Sequence, residues 1–299
     1  MAPVATATAN PDDQLAWEAR QRPRAAVAAV LGGVFALGAD LVTSTVFRDA
    51  PSADFLRSLR EATAPGPVGS QPSARTAFLQ YYADHQGVLI GAAVVRAVAY
   101  VGIGWALTFL AAAVRARREN FPRAGLYIGL IGAVLQAVSV LMGTLDSALS
   151  ASDFLDGPRT VDAAHAATSG SLLVTANIIG LPGLFALAAG FVLVSLNAMR
   201  CGLLTRFMGT VGMLVGVLAI IPIGPLPIVQ AFWLLALGVI MTGRAPGGLP
   251  PAWSSGRAEP WPDRAPRRSE PRVVPAGPDP EPPRVAHPGA ARRKRKRRA

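Results

Sequence analysis

The sequence has little charge, a single cysteine and none of the common motifs of nucleotide-binding proteins or hydrolases. Only 16% of its 299 residues are charged, against about 25% in an average soluble domain. Cys201 is the only cysteine, which excludes a disulfide within the chain and a thiolate metal cluster. The absence of GxxxxGKS/T, HExxH and GxSxG excludes a P-loop ATPase and leaves no recognised hydrolase site. No pair of histidines at helical spacing indicates haem, and we predict no cofactor.

Long apolar segments are what the sequence has instead. It is 51% hydrophobic, and its mean hydropathy is +0.36. A helix needs about 20 apolar residues to cross the ~30 Å hydrocarbon core of a bilayer. Six segments approach or exceed this length: 25–47, 87–114, 124–149, 170–196, 205–221 and 226–243. Lipid leaves such segments no other way to satisfy their backbone groups, so we predict an all-α fold, a six-transmembrane-helix bundle over residues 25–243.

The first, fifth and sixth segments need a closer interpretation. Segment 25–47 is longer than the 7–15 apolar residues of a signal peptide and follows a polar N-terminus, 1–24, so we expect a retained signal-anchor. The fifth and sixth segments are near the lower length limit, and PIGPLP at 222–227 separates them. Proline ends a helix, which predicts a tight helical hairpin. A single kinked helix is the weaker alternative, because the combined run is too long for one crossing.

The distribution of arginine predicts the orientation in the membrane. Placing both termini in the cytoplasm gives that side nine arginines near helix ends: Arg20, Arg22, Arg24, Arg115, Arg117, Arg118, Arg123, Arg200 and Arg206. The outer side receives five, spread over longer loops: Arg48, Arg57, Arg60, Arg75 and Arg159. Because cytoplasmic loops carry the excess of Lys and Arg, we predict a multi-pass protein of the bacterial cytoplasmic (inner) membrane with both termini inside.

The C-terminal segment 244–299 has a different composition from the rest. It holds 14 Lys/Arg against 5 Asp/Glu, or +9 of the net charge of +11, and 13 of the 26 prolines. Such a composition buries too little apolar surface to order a chain, so we predict a disordered cytoplasmic tail. It ends in a basic run: Arg292, Arg293, Lys294, Arg295, Lys296, Arg297 and Arg298. We expect this run to bind anionic lipid headgroups rather than a specific nucleic acid.

Two charged residues inside the apolar segments are the main candidates for function. Asp40 lies about 10 Å from the outer end of the first segment, and Arg96 about 13 Å from the outer start of the second. A lone charge at the centre of a bilayer helix costs ~2.5–3.5 kcal/mol, and a partner reduces this cost. The matching depths therefore predict an ion pair between two adjacent antiparallel helices.

Further polar side chains lie on the same side of the predicted membrane. Asp146 is near the outer end of the third segment, and Asn177 is in the outer part of the fourth. With Asp40 and Arg96 they could line an outward-facing polar cavity for a ligand or ion. The alternative is that buried polar groups only hold the helices together, at about 0.6 kcal/mol each.

Several weaker features have both a functional and a purely structural interpretation. His85 follows Asp84 and His165 follows Asp162 by three residues, so these histidines could bind a metal, but their spacing matches no strong motif. The spacings Gly125–Gly129 and Gly212–Gly216 allow close helix contact, within the bundle or in a homo-oligomer. Cys201 is placed where palmitoylation occurs in other proteins, or it is an inert thiol.

Four stretches stand out around the last two apolar segments: GRAPGGLPPAW (243–253), GRAEPWP (256–262), NAMRCGLLTRFMG (197–209) and QAFWLLALG (230–238). With them the sequence resembles a family of actinobacterial multi-pass membrane proteins. The resemblance implies membrane class and localisation, and it carries no activity and no site residue. Trp253 and Trp261 within it could form a juxtamembrane anchor at the lipid interface.

Three functions are open from the sequence. The first is a non-enzymatic membrane protein with a structural or accessory role. The second is a small transporter or ligand-binding membrane protein with a site around Asp40, Arg96, Asp146 and Asn177. The third is a membrane enzyme that uses the histidines at its outer rim.

Overall fold

The computed structural model describes residues 11–51, 63, 67–221, 226–245 and 248–259. Over these residues the chain is all-helical, apart from an isolated bridge between Pro72 and Thr160. The helices are α1 (Pro11–Arg48), α2 (Thr76–Asp84), α3 (Gln86–Arg117), α4 (Ala124–Asp156), α5 (Val161–Thr168), α6 (Ser171–Arg200), α7 (Arg206–Ile220), α8 (Ile228–Met241) and α9 (Ala252–Ser255). The all-helical prediction is confirmed for this part of the chain.

Four of the described helical stretches are long and apolar enough to cross a membrane. They are Asp12–Arg48, Gln86–Arg117, Ala124–Asp156 and Val161–Arg200. Helices α7 and α8 are apolar but shorter, with 15 and 14 residues. Helix length and composition therefore support four of the six predicted crossings, whereas crossings by the segments 205–221 and 226–243 stay predictions.

The helices pack as an antiparallel bundle around α3. Helix α3 contacts α1, α4 and α6, while α4 also packs along α6. The short helices fill the remaining side, because α7 packs against α6 and α8 against α1. Two ends result. The Trp253 end holds the starts of α1, α4 and α7, and the His85 end holds the starts of α3 and α6.

Glycine allows the closest helix contact, which lies between α4 and α6. Gly190 sits directly against Gly129, and a Cβ atom on Gly132 would overlap the backbone of Leu187. The Gly212–Gly216 spacing works in the same way, since Gly212 meets Ser195 of α6. Both GxxxG spacings thus serve contacts inside the bundle, and the described residues offer neither pair to a second copy.

Two predicted boundaries differ in the structure. Helix α1 begins at Pro11, so most of the polar N-terminus is helical rather than separate from the first apolar segment. Residues 248–259 at the start of the predicted tail pack on the bundle, and Trp253 is only 3% exposed. The remaining tail, with the basic run 292–298, lies outside the described residues.

Candidate functional site

Asp40 and Arg96 form an ion pair between α1 and α3. The Arg96 Nη2 donates to the Asp40 carboxylate, and the Thr43 hydroxyl lies 3.5 Å from the same nitrogen. The Arg96 Nε is buried and has no hydrogen-bond partner. The two side chains stay 23% and 24% exposed. The structure therefore contains the pair that the matching depths predict, and leaves it partly accessible.

Small residues bring α1 and α3 close enough for this pair. Gly32 faces Ala99 and Ile103, and Gly102 faces Ala28. These contacts set the register of two antiparallel helices. Asp40 lies eight residues beyond Gly32 and Arg96 seven before Ile103, which puts both about 10–12 Å from the contact at 1.5 Å per residue.

Asp146 occupies a different place in the bundle. It is a buried residue of α4, and its carboxylate lies beside Gly170, the residue that precedes α6. The N-terminus of a helix carries partial positive charge, so a carboxylate is favourable there. One carboxylate oxygen, Oδ2, has no hydrogen-bond partner. No ion pair joins Asp146 to Arg96 in the described part of the chain.

Asn177 lies on an outward face of α6. Its side chain is exposed, and its neighbours on this face include Ile178, which is 66% exposed. The structure thus brings Asp40 and Arg96 together, but does not join Asp146 and Asn177 to them by a contact. A single polar cavity formed by all four side chains is not observed among the described residues.

The two candidate histidines are in separate surroundings. The His85 ring stacks on Tyr81 with ring centroids 4.1 Å apart, and its Nδ1 lies 2.8 Å from the Tyr81 carbonyl. His165 is exposed on α5. Among the residues with described positions, no group of three or more His, Cys, Asp or Glu could hold a metal ion. The enzyme that uses the outer-rim histidines stays a prediction.

A second charged cluster, which the sequence analysis missed, lies at the Trp253 end. The Arg117 side chain is 0% and the Glu18 side chain 3% exposed. Arg117 Nη2 donates to Glu18 Oε2 at 2.8 Å, and its Nη1 also donates to Glu18. The same guanidinium donates to the Ala252 carbonyl through Nη2 at 2.7 Å and Nε at 3.1 Å. One buried arginine thus joins the ends of α1, α3 and α9.

Trp253 completes this cluster. Its indole Nε1 donates to the Leu203 carbonyl at 2.9 Å, and its ring stacks on Phe109 with centroids 6.0 Å apart. The guanidinium groups of Arg117 and Arg22 lie 5.6 and 6.0 Å from the ring centre, within reach of a cation–π interaction. Trp253 is therefore part of the protein interior and not of a lipid-facing anchor, while Trp261 lies outside the described residues. The group formed by Glu18, Arg117, Ala252 and Trp253 is called the Trp253 clasp.

Little in the sequence distinguishes the members of the clasp. Glu18 lies in a polar segment, and Arg117 belongs to the arginine-rich segment RARR at 115–118. The one usable feature is the spacing of Gln14 and Glu18, which places them one helical turn apart. In the structure the Gln14 amide donates to Glu18 at 2.8 Å.

Cys201 lies next to the clasp and is buried. Burial raises the pKa of its thiol, so less thiolate is present at neutral pH. Its carbonyl accepts a hydrogen bond from the Glu259 amide at 3.2 Å. The thiol is thus enclosed in protein, which favours the inert cysteine over a palmitoylation site.

A mainly apolar cavity of about 420 Å³ lies at the His85 end. Its lining residues are Phe47, Ala50, Pro51, Arg75, Phe78, Leu79 and Thr168. Arg75 donates to the Thr168 hydroxyl at 3.2 Å, which occupies one donor of the only charged side chain in this lining.

The fold and its surface define a membrane-embedded helix bundle. Four helices have the required length and composition, and large apolar side chains such as Trp105 and Leu149 are more than half exposed on them. Comparisons with family models, with curated proteins and with solved structures found no match to this chain. The resemblance to actinobacterial membrane proteins therefore stays a prediction.

Proposed function

We propose that this protein is a non-enzymatic accessory protein of the bacterial cytoplasmic membrane, whose bundle holds a basic tail at the cytoplasmic surface. The observation that carries the proposal is the Trp253 clasp. It ties the first residues of the C-terminal segment to α1 and α3 through a fully buried arginine. A tail without a role would not need its first residues to be attached to the bundle by a buried ion pair.

The charges of the two bundle ends support the orientation with both termini inside. Among the described residues, the Trp253 end holds eleven arginines: Arg20, Arg22, Arg24, Arg115, Arg117, Arg118, Arg123, Arg200, Arg206, Arg244 and Arg257. The His85 end holds Arg48, Arg75 and Arg159. By the positive-inside rule the Trp253 end is cytoplasmic.

The number of crossings does not affect this assignment. Six full crossings return the chain to its starting side, and so do four full crossings with a hairpin that enters and leaves on one side. In both cases the chain passes from the clasp into the C-terminal segment on the cytoplasmic side of the membrane.

The partner of the basic run is the anionic inner leaflet. Its seven Lys and Arg residues, 292–298, contribute about 1 kcal/mol each when they lie close to an anionic surface. Screening shortens the reach of such charges to about 8 Å at physiological salt. The interaction is therefore expected to be reversible and sensitive to salt.

A labelled tail tests this proposal. Ala299→Cys in a Cys201→Ser background gives one thiol for a fluorophore, and the full chain is reconstituted in nanodiscs that contain an acceptor lipid. We expect energy transfer with 30% phosphatidylglycerol to exceed that with phosphatidylcholine alone, and to fall as salt is raised from about 0.05 to 0.5 M. A variant with residues 292–298 all changed to Gln should lose this difference.

The matched control changes four other tail arginines to Gln: Arg264, Arg267, Arg268 and Arg272. These four arginines are more widely spaced than the basic run, so their removal should reduce the energy transfer less. Equal energy transfer in both lipids for the parent chain would reject the lipid partner. A loss in each variant that is proportional to the number of charges removed, seven against four, would assign the effect to total charge rather than to the basic run.

A further inference from the structure

Helices α7 and α8 are too short to match the others. With 15 and 14 residues they are about 22 and 21 Å long, at 1.5 Å per residue. The hydrocarbon core is ~30 Å thick. Apolar helices of this length are more typical of re-entrant segments than of full crossings.

The contacts of α8 with α1 show where the hairpin ends. Gly33 lies against Ala231, and Gly238 lies against Val30. In this antiparallel register the start of α8 at Ile228 is level with about residue 36 of α1. Helix α1 continues from there to Arg48, a further ~18 Å.

The contacts of α7 with α6 give the same result. Gly209 lies against Met199 and Gly216 against Ala188. The end of α7 at Ile220 is therefore level with about residue 185 of α6. Helix α6 extends from that level to its start at Ser171, about 20 Å away. Both helices of the hairpin thus stop well short of the His85 end.

Beyond the hairpin, no helix of the described residues covers the faces of α1 and α6 that pack against α7 and α8 nearer the Trp253 end. This space, bounded by α1, α6 and the ends of α7 and α8, is called the His85-side recess. Ile221 at its floor is 64% exposed. The recess is the part of the bundle that the short hairpin leaves open.

Two polar candidates lie on these uncovered faces. Asp40 follows Gly33 by seven residues, nearly two helical turns, so it lies on the face of α1 that meets α8. Asn177 precedes Ala188 by eleven residues, about three turns, so it lies on the face of α6 that meets α7. Arg96 reaches the same region through its pair with Asp40, which is about a quarter exposed.

The helix ends add further polar groups at this level. The last turn of α7 and the first turn of α8 each leave backbone groups without partners inside the helix. Gln230, one of the first residues of α8, makes no side-chain hydrogen bond to the described residues and lies on the same face as buried Leu237, two turns on. Non-helical backbone at membrane depth is tolerated only where it is buried in protein or lines water.

We propose that α7 and α8 form a re-entrant hairpin, and that the His85-side recess is filled with water and admits small ions and polar solutes to Asp40, Arg96 and Asn177. Water reconciles a partly exposed ion pair with its depth in the bundle, because a solvated pair avoids the cost of a charge in hydrocarbon. The apolar side chains on α6, such as Ile178, form the wall that continues to the lipid. The inference rests on membrane embedding and not on the role of the tail.

Cysteine accessibility tests the recess. Single cysteines are placed in the Cys201→Ser background and treated with a charged, membrane-impermeant methanethiosulfonate in proteoliposomes. Ser44→Cys lies on the recess face, eleven residues from Gly33, and Val42→Cys lies on the opposite face at nine residues. We expect Ser44→Cys to react at least about tenfold faster than Val42→Cys, since thiols in hydrocarbon are not reached by a charged reagent.

Two more positions separate the alternatives. Gly157→Cys in the loop between α4 and α5 gives the rate at an open surface, and Ile221→Cys reports the hairpin end. A rate at Ile221→Cys between those of Gly157→Cys and Val42→Cys is expected. Equality with Gly157→Cys would mean that the hairpin reaches the surface as two full crossings. Equality of Ser44→Cys with Val42→Cys would mean that lipid fills the recess, and would reject the proposal.

A cysteine on α6 and a control for correct folding complete the test. Asn177→Cys probes the recess from α6 and should react at a rate similar to Ser44→Cys. Each variant is compared with the Cys201→Ser parent by size-exclusion profile and thermal unfolding before labelling. Protection of Asn177→Cys while Ser44→Cys reacts would restrict water to the α1 side and would overturn the proposed recess.

Discussion

Arg96 and Arg117 are both arginines inside the helix bundle, but their charges are compensated in different ways. Arg96 has one carboxylate partner and a buried Nε without a partner. Arg117 uses several donors at once, on Glu18 and on the carbonyls of Ala252 and Ala113. The first arrangement leaves donors for water or a solute. The second is complete and suits a permanent structural contact.

Charge reversal at the first pair distinguishes a dry ion pair from a solvated one. We expect Asp40→Arg and Arg96→Asp each to lower the melting temperature in detergent moderately. The loss of folding free energy should be smaller than the ~2.5–3.5 kcal/mol that an unsolvated charge costs. The double variant should recover most of the loss, because it restores the pair. Collapse of both single variants would instead indicate a pair sealed from water and would contradict a hydrated recess.

Removal of Glu18 should be much more costly. Glu18→Gln leaves the buried Arg117 guanidinium without its counter-charge, and breaking a buried pair in this way costs ~3–5 kcal/mol. We expect a large drop in thermal stability and faster proteolysis between residues 245 and 259. Glu119→Gln, at an exposed acidic residue of the same end, should change stability by no more than about 0.5 kcal/mol. Similar behaviour of the two variants would show that the clasp contributes little.

At the scale of helices, glycine decides which pairs pack closely. Helices α4 and α6 approach at Gly129, Gly132 and Gly190, where a side chain has no room. Other glycines lie on the open surface, and Gly91 of α3 has no atom near the position of a Cβ. The same residue type therefore has two roles that the sequence alone does not distinguish.

These two kinds of glycine give a matched pair of substitutions. Gly132→Ala should strongly destabilise the bundle, because its Cβ would overlap the Leu187 backbone and force α4 away from α6. Gly91→Ala should be neutral or stabilising by up to about 1 kcal/mol, since alanine favours the helix. Thermal unfolding in detergent measures both. Tolerance of Gly132→Ala, with an unchanged melting temperature, would be inconsistent with this packing.

At the scale of the whole molecule, the two ends of the bundle differ in charge and in construction. The Trp253 end is rich in arginine and is closed by the clasp. The His85 end has few arginines and contains the 420 Å³ cavity. Helices α7 and α8 do not reach this end. Among the described residues, a buried charged contact therefore closes only the Trp253 end.

Cysteine labelling in intact cells tests the direction of this asymmetry. In the Cys201→Ser background, Gly157→Cys should react with an impermeant maleimide, because it lies at the end with few arginines. Asn120→Cys, in the loop between α3 and α4 at the Trp253 end, should react only after the cells are permeabilised. The reverse pattern would place both termini outside and would remove the basis for a cytoplasmic tail.

Individual residues show how far the sequence could predict the site. The Asp40–Arg96 pair follows from counting residues to the ends of two apolar segments, because depth along a helix is a local property. The direction in which Asn177 and Asp146 face depends on the rotation of each helix about its axis. The depth of a residue in its segment does not predict this rotation. The clasp depends on the return of residues 248–259 to α1 and α3, and the Arg117–Ala252 contact alone spans 135 residues.

What the sequence determined by itself is the class of the molecule. Hydropathy and segment length require apolar helices, and the scarcity of charge singles out the few intramembrane ionisable residues, because both properties are carried by each segment alone. The tertiary structure decided the burial of Trp253 and Arg117, the use of the GxxxG spacings inside the bundle and the level at which the hairpin ends. These depend on helix register and rotation, which are set by side-chain contacts between segments far apart in the chain.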